Sequence, residues 1–214
     1  DRNRRFHIHD VLEHLWAMEE EQKNQDACAV YFAEVIESIP ADWHNETANA
    51  MANIFFLKER YADAEKMYRR VITSKTSGDF KVASYEALAG LYVKQKKFAE
   101  AASMFEEAAR TFQDDEEIVV GMSQARAQVL SESGDLAGAV EALRKIAKDH
   151  PKNSLALNSI FLAARLSEQG GDPASAAELY KEYLSLNTTD FSLRASAQKK
   201  LAASSNPQQD PAAQ

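Results

Sequence analysis

The sequence predicts an all-α solenoid in which helix pairs stack side by side along one continuous core, and three observations carry this reading. A short alanine-centred signature recurs as Asp26-Ala27-Cys28, Tyr61-Ala62-Asp63-Ala64, Phe98-Ala99-Glu100-Ala101, Leu136-Ala137-Gly138-Ala139 and Pro173-Ala174-Ser175-Ala176. The final residues lie 36, 37, 38 and 37 positions apart. Self-similarity in this range marks a helical repeat array, because one helix pair cannot bury its apolar face alone. Between the signatures, apolar residues fall at helical spacing. Strand-like runs of β-branched and aromatic residues are nearly absent, and the 214 residues include only seven Gly and five Pro.

The elements follow in order. Val11, Leu12, Leu15 and Trp16, then Tyr31, Phe32, Val35 and Ile36, form a first pair over about residues 8–40, closed by Pro40. Asp42 is expected to cap the next helix, which carries Met51, Ile54, Phe55 and Leu57. Its partner carries Tyr61, Ala64, Met67, Tyr68 and Val71 and ends in the 73–79 turn, for a second repeat over 42–77. The third repeat, 79–113, reads Tyr85, Leu88, Ala89, Tyr92, then Phe98, Ala101, Phe105, Ala108.

The fourth repeat, 114–151, opens on the acidic run Asp114-Asp115-Glu116-Glu117, which suits a first helical turn with free N–H groups and a positive dipole end. It breaks at Ser133-Gly134-Asp135 and stops at Pro151. The fifth, 153–188, passes Leu157, Ile160, Phe161 and Ala164, turns at Gly170-Gly171-Asp172-Pro173 and continues through Ala176, Leu179, Tyr180 and Tyr183. Leu193, Ala197 and Leu201 make a narrow stripe on a capping helix over 190–203, with Lys199 and Lys200 off it. The tail from Ser204 offers nothing to bury and is expected to be disordered. The sequence therefore reads as a single elongated domain over 1–203.

Composition narrows the function. A net charge of −8 argues against nucleic acid or an anionic membrane surface as the main ligand, since both require a basic footprint. The single Cys28 excludes an intrachain disulfide framework, and no run of eighteen apolar residues forms a membrane span. Because residue 1 is Asp, an upstream signal or anchor is an open expectation. Arg2, Arg4 and Arg5 suit the flank of a membrane helix, which by the positive-inside tendency would put the chain in the cytoplasm and count against the periplasm. A periplasmic or membrane-attached location is the one otherwise favoured.

The residues resemble the tetratricopeptide repeat (TPR) family, whose 34-residue pattern fixes large, small and aromatic residues at set positions. Tyr85, Leu88, Ala89, Tyr92, Phe98, Ala101, Phe105 and Ala108 fall on pattern positions 4, 7, 8, 11, 17, 20, 24 and 27. The preceding unit matches with Met51, Ala52, Phe55, Tyr61, Ala64 and Tyr68, the following one with Ala127, Gly134, Ala139, Leu143 and Pro151. The fifth fits with one residue inserted at Gly170-Gly171, and the first, with Trp16 and Cys28 at small-residue positions, is the most degenerate. The resemblance covers about residues 8–188 and implies a right-handed TPR-type superhelix of about five helix pairs plus a cap. Its irregular period is similar to that of bacterial membrane-anchored or periplasmic members, which implies a role in envelope protein assembly or secretion.

No catalytic constellation emerges. His9/Glu13 and Asp10/His14 stand four apart near His7, a one-face spacing suited to zinc, but a structural site wants four ligands dominated by Cys and His. These histidines read as solvated, Cys28 as a small packing residue, and Lys94-Gln95-Lys96-Lys97 as a solvated basic turn. Neither enzymatic activity nor a metal or cofactor is expected.

In the resembled family the first helix of each repeat lines a concave wall through pattern positions 2, 5, 9 and 12. Carried over, these are Glu46, Asn49, Asn53 and Phe56, then Ala83, Glu86, Gly90 and Val93, then Gly121, Gln124, Gln128 and Ser131. Asn49 and Asn53 lie one helical turn apart, so their amides suit the backbone of an extended peptide, with Phe56 as an apolar anchor. A clamp for a terminal carboxylate is disfavoured, because Ala83 and Ala87, or Gly121 and Ala125, stand where cations are needed. The expected function is a non-catalytic adaptor that holds a protein or peptide in this groove. The alternative is a self-associating spacer, with Trp43 and Phe80 at an interface.

Overall fold

A computed structural model describes Leu12, Trp16, Ala17 and residues 25–38, 43–75 and 80–205, the side chains of 25–29, 38 and 205 excepted. Ten helices have defined bounds: α1 Gln25–Ser38, α2 His44–Leu57, α3 Tyr61–Thr73, α4 Phe80–Lys94, α5 Phe98–Thr111, α6 Glu116–Glu132, α7 Leu136–Asp149, α8 Ser154–Gln169, α9 Pro173–Ser185 and α10 Phe191–Ser205. No strand occurs among the described residues. The chain divides into two compact units, residues 1–95 and 96–214.

In the first unit α2 packs on α3, α3 on α4, and α2 also reaches α4 and α1. Trp16, Phe32 and Phe55 form its aromatic centre, with ring centroids 5.6–6.2 Å apart. The Arg60 guanidinium covers it, 6.0 Å from the Trp16 ring and 5.6 Å from Phe55. Trp16, the residue that departs furthest from the repeat pattern, is therefore a core residue, 2% exposed. In the second unit each helix from α5 to α10 packs on the next, α6 also meets α8, and α8 meets α10. Its core gathers Leu143, Ile160, Phe161, Leu179, Tyr180 and Tyr183, and the stripe of α10 closes it through buried Ala197 with Leu193 and Leu201 alongside.

The alanine signature marks the close approaches: Ala64, Ala101 and Ala139 are fully buried and Ala176 nearly so. A methyl side chain lets helix axes reach the near end of the usual 8–10 Å range. A second register runs through the turns inside each pair. Glu59, Lys96, Gly134 and Gly171 all have positive φ, at 60°, 59°, 93° and 77°. Around Glu59, Gly134 and Gly171 the same bonds repeat, with Arg60 N–H donating to Phe55 O, Asp135 to Leu130 O and Asp172 to Ser167 O. This is the Schellman ending, in which a left-handed residue satisfies otherwise orphaned carbonyls.

Side-chain caps start the later helices. Asp115 accepts from the N–H groups of Glu117 and Ile118, Asp135 from Gly138, Asn153 from Ala156 and Asp172 from Ser175. Several expectations are corrected. The cap position of α2 is Trp43, with no side-chain cap bond, and Asp42 lies outside the described residues. Tyr31 and Leu57, expected on core faces, are 45% and 69% exposed. The helical path continues through Ser204 to Ser205, where a disordered tail was expected to begin. Residues 76–79 of the second turn lie outside the described residues.

Candidate functional site

The residues expected to line the wall occupy α2, α4 and α6. Glu46, Asn49, Asn53 and Phe56 are half-buried along α2, while Glu86 and Gly90 are exposed on α4. A Cβ built on Gly90 meets nothing within 4 Å, so the backbone there is open to close approach. On α6, Gln124 is half-buried and Gln128 exposed.

The two asparagines are partly committed inside the fold. The Ser84 hydroxyl, fully buried on α4, donates to Asn49 Oδ1 at 3.1 Å, and the Tyr68 hydroxyl on α3 donates to Asn53 Oδ1 at 2.7 Å. Burial pushes the Tyr68 phenol up to about 12, so it remains a proton donor throughout the neutral range. With each side-chain oxygen already accepting one bond, Nδ2 is the less committed end of both amides. The pair thus keeps its N–H groups uncommitted within the fold.

Gln124 plays a different part. Its Nε2 donates to Leu155 O at 2.9 Å and to the buried Ser159 Oγ at 2.8 Å, tying α6 to α8. Asn49–Ser84 and Gln124–Ser159 are each 35 residues apart, so the same first-helix position grips a buried serine of the following repeat in both units. Gln128 Nε2 donates to Glu132 Oε1 at 3.0 Å on its own helix. Sequence reasoning missed Ser84 and Ser159. A polar residue inside an otherwise apolar stripe, one repeat beyond an amide, is the signal that finds them.

Phe56, expected as an apolar anchor, has ring and cation neighbours of its own. Its ring lies 6.0 Å from Tyr61, and the Lys94 ammonium stands over both rings at 5.2 and 5.4 Å. A hydrogen bond with Tyr61 raises the Lys94 pKa, so this lysine of the basic turn is an aromatic-bound cation. The side chain of Cys28 and the histidines His7, His9 and His14 lie outside the described residues. Among the described residues no three His, Cys, Asp or Glu side chains group as a metal site, and no helix is long and apolar enough to cross a membrane.

Repeated helix pairs locked by buried alanine, with polar amides on the first helices α2 and α6, define a tetratricopeptide-type helical-repeat protein. The family model described as tetratricopeptide repeat protein 21 ARM repeat matches residues 38–169, more than half of the chain, and the chain belongs to this family. Tetratricopeptide-type arrays are protein–protein interaction scaffolds that bind protein or peptide partners and are generally not enzymes.

Among solved structures, a putative kinesin light chain from Podosopora anserina with nearly identical TPR-like repeats is 16% identical. It covers 93% of this chain and 99% of its own, at a TM-score of 0.56. A tetratricopeptide repeat protein from Parabacteroides merdae (13% identity, 94% and 76% coverage, TM-score 0.49) is also similar. So is YrrB, a TPR protein with an unusual peptide-binding site (14% identity, 86% and 88% coverage, TM-score 0.48). At 16% identity the likeness to the kinesin light chain repeats is one of fold. No curated protein matches the chain.

Proposed function

We propose that this chain is a non-catalytic adaptor whose α2–α4 wall holds an extended polypeptide segment by its backbone carbonyls. One observation supports this reading above others: Asn49 and Asn53, one turn apart, have their oxygens tied to Ser84 and Tyr68 and keep their nitrogens for donation. Adjacent Gly90 leaves room for a backbone, and Glu86 favours a segment carrying a basic side chain. An envelope role in protein assembly or secretion rests on the resemblance in repeat period and belongs to the same proposal. Cell fractionation of the source organism with an antibody to the chain tests it, and an exclusively cytosolic signal rejects it.

Affinity capture with quantitative mass spectrometry, comparing wild type with the Asn49→Ala, Asn53→Ala double variant, tests the groove. Partners lost selectively in the variant support it, and equal retention moves the interface elsewhere. The spacer alternative draws on exposed apolar side chains, Leu57 at 69% and Phe191 at 81%, rather than on half-buried Trp43 and Phe80. Light scattering after size exclusion decides it, since a monomer at high concentration rejects self-association.

A further inference from the structure

The second unit has a cleft on the side of its second helices, far in sequence from the amide-bearing wall. Short turns join α7 and α9 to α8, so they run in the same direction with α8 between and beneath them. The cleft they leave has a volume of about 1810 Å³. Its floor includes half-buried Leu136, Val140, Leu166 and Leu186. One exposed ion pair, Arg144–Glu182 at 3.5 Å, links the walls, and a pair this exposed is a weak tie.

Charge is sorted by end. Glu141, Asp172 and Glu178 line the cleft toward the start of α7 and α9, and toward the other end Lys145, Lys148 and Lys152 outnumber Asp149 and Glu182. Some of these charges are already matched, Glu178 by Lys181 at 2.8 Å and Lys145 by Asp149. Among the described residues, the side chains of Glu141 at one end and Lys152 at the other make no hydrogen bond or ion pair, and Lys148 acts on neighbouring Asp149 only at a distance. An apolar floor with unpaired charge of opposite sign at its two ends calls for an occupant with a matching stripe and matching ends.

We propose that this cleft receives an amphipathic helix of a partner protein, laid antiparallel to α7 and α9. Acidic residues in its first turn meet Lys148 and Lys152, and a basic residue in its last turn meets Glu141. Leucine-type residues at i, i+3, i+4 and i+7 cover the floor. Acidic residues first and basic residues last is also the order a helix's own macrodipole favours, so the orientation and the partner's intrinsic stability agree. None of the cleft residues belongs to the amide-bearing wall, so the two proposals fail separately.

Fluorescence anisotropy of the full chain with two synthetic peptides tests it. Each peptide is about 16 residues, long enough to hold a helix, with one leucine face. One has Glu in the first turn and Lys in the last, and the other reverses them. The first is expected to bind at least about tenfold more tightly than the second. Lys148→Glu with Lys152→Glu, both at exposed positions, is expected to keep the fold and lose that preference, whereas Asn49→Asp with Asn53→Asp leaves it unchanged. Equal affinities, no binding of either peptide, or a preference unmoved by the lysine substitutions overturns the proposal. So does a dimer, seen by sedimentation equilibrium, that Lys148→Glu dissociates, because the occupant is then a second copy.

Discussion

At the residue scale, the amides of Asn49 and Asn53 illustrate how internal bonding sets what a side chain has left to offer. A free asparagine offers donor and acceptor alike, but one whose oxygen already accepts from a buried hydroxyl has its N–H groups as the less committed end. Ser84→Ala removes the donor to Asn49 and is expected to cost about 1 kcal/mol, read as a lower urea midpoint. Glu59 and Lys96 hold left-handed backbone without being glycine, at φ of 60° and 59°. Lys96→Gly is expected to stabilise the chain by up to about 1 kcal/mol in the same titration, because the Cβ strain disappears.

Asp172 carries a pH prediction. Hydrogen bonds from Ser175 hold its carboxyl below the usual range, so its stabilising effect is present above the unfolded-state value of about 4 and fades as pH falls through the folded value. Thermal unfolding below about pH 4 is therefore expected to change less in Asp172→Asn than in wild type.

At the scale of the element, much of the fold was legible because one physical requirement recurs. Close helix crossing demands a small residue, and Ala64, Ala101, Ala139 and Ala176 recur at that requirement, each at most 2% exposed. Ala176→Leu is expected to cost about 1–3 kcal/mol by overpacking, measured as a fall in unfolding midpoint. Gly134 and Gly171 announced their turns, whereas Glu59 and Lys96 did not, since nothing in their side chains marks a left-handed backbone. Tyr31 and Leu57 misled because helical spacing identifies a stripe but not its width, and both fall just beyond the buried edge. Gln124 was legible as a position on the wall but not as the tie between α6 and α8, which needs Ser159 brought alongside from 35 residues away.

At the scale of the whole molecule, the chain joins net charge −8 with helical repeats of a family of protein–protein interaction scaffolds. Each unit supplies a different surface. The first presents donor amides backed by buried hydroxyls, and the second presents a charge-sorted cleft between its outer helices. The family is one of protein–protein interaction scaffolds, and the chemistry of each surface proposes what it selects.

The most direct measurement is a calorimetric titration of the captured partner segment into wild type and into Asn49→Asp with Asn53→Asp. Aspartate keeps the oxygen that Ser84 and Tyr68 require but removes the outward donor. The account predicts an unchanged unfolding midpoint and a loss of affinity of at least about tenfold. An unchanged affinity in a folded variant contradicts it.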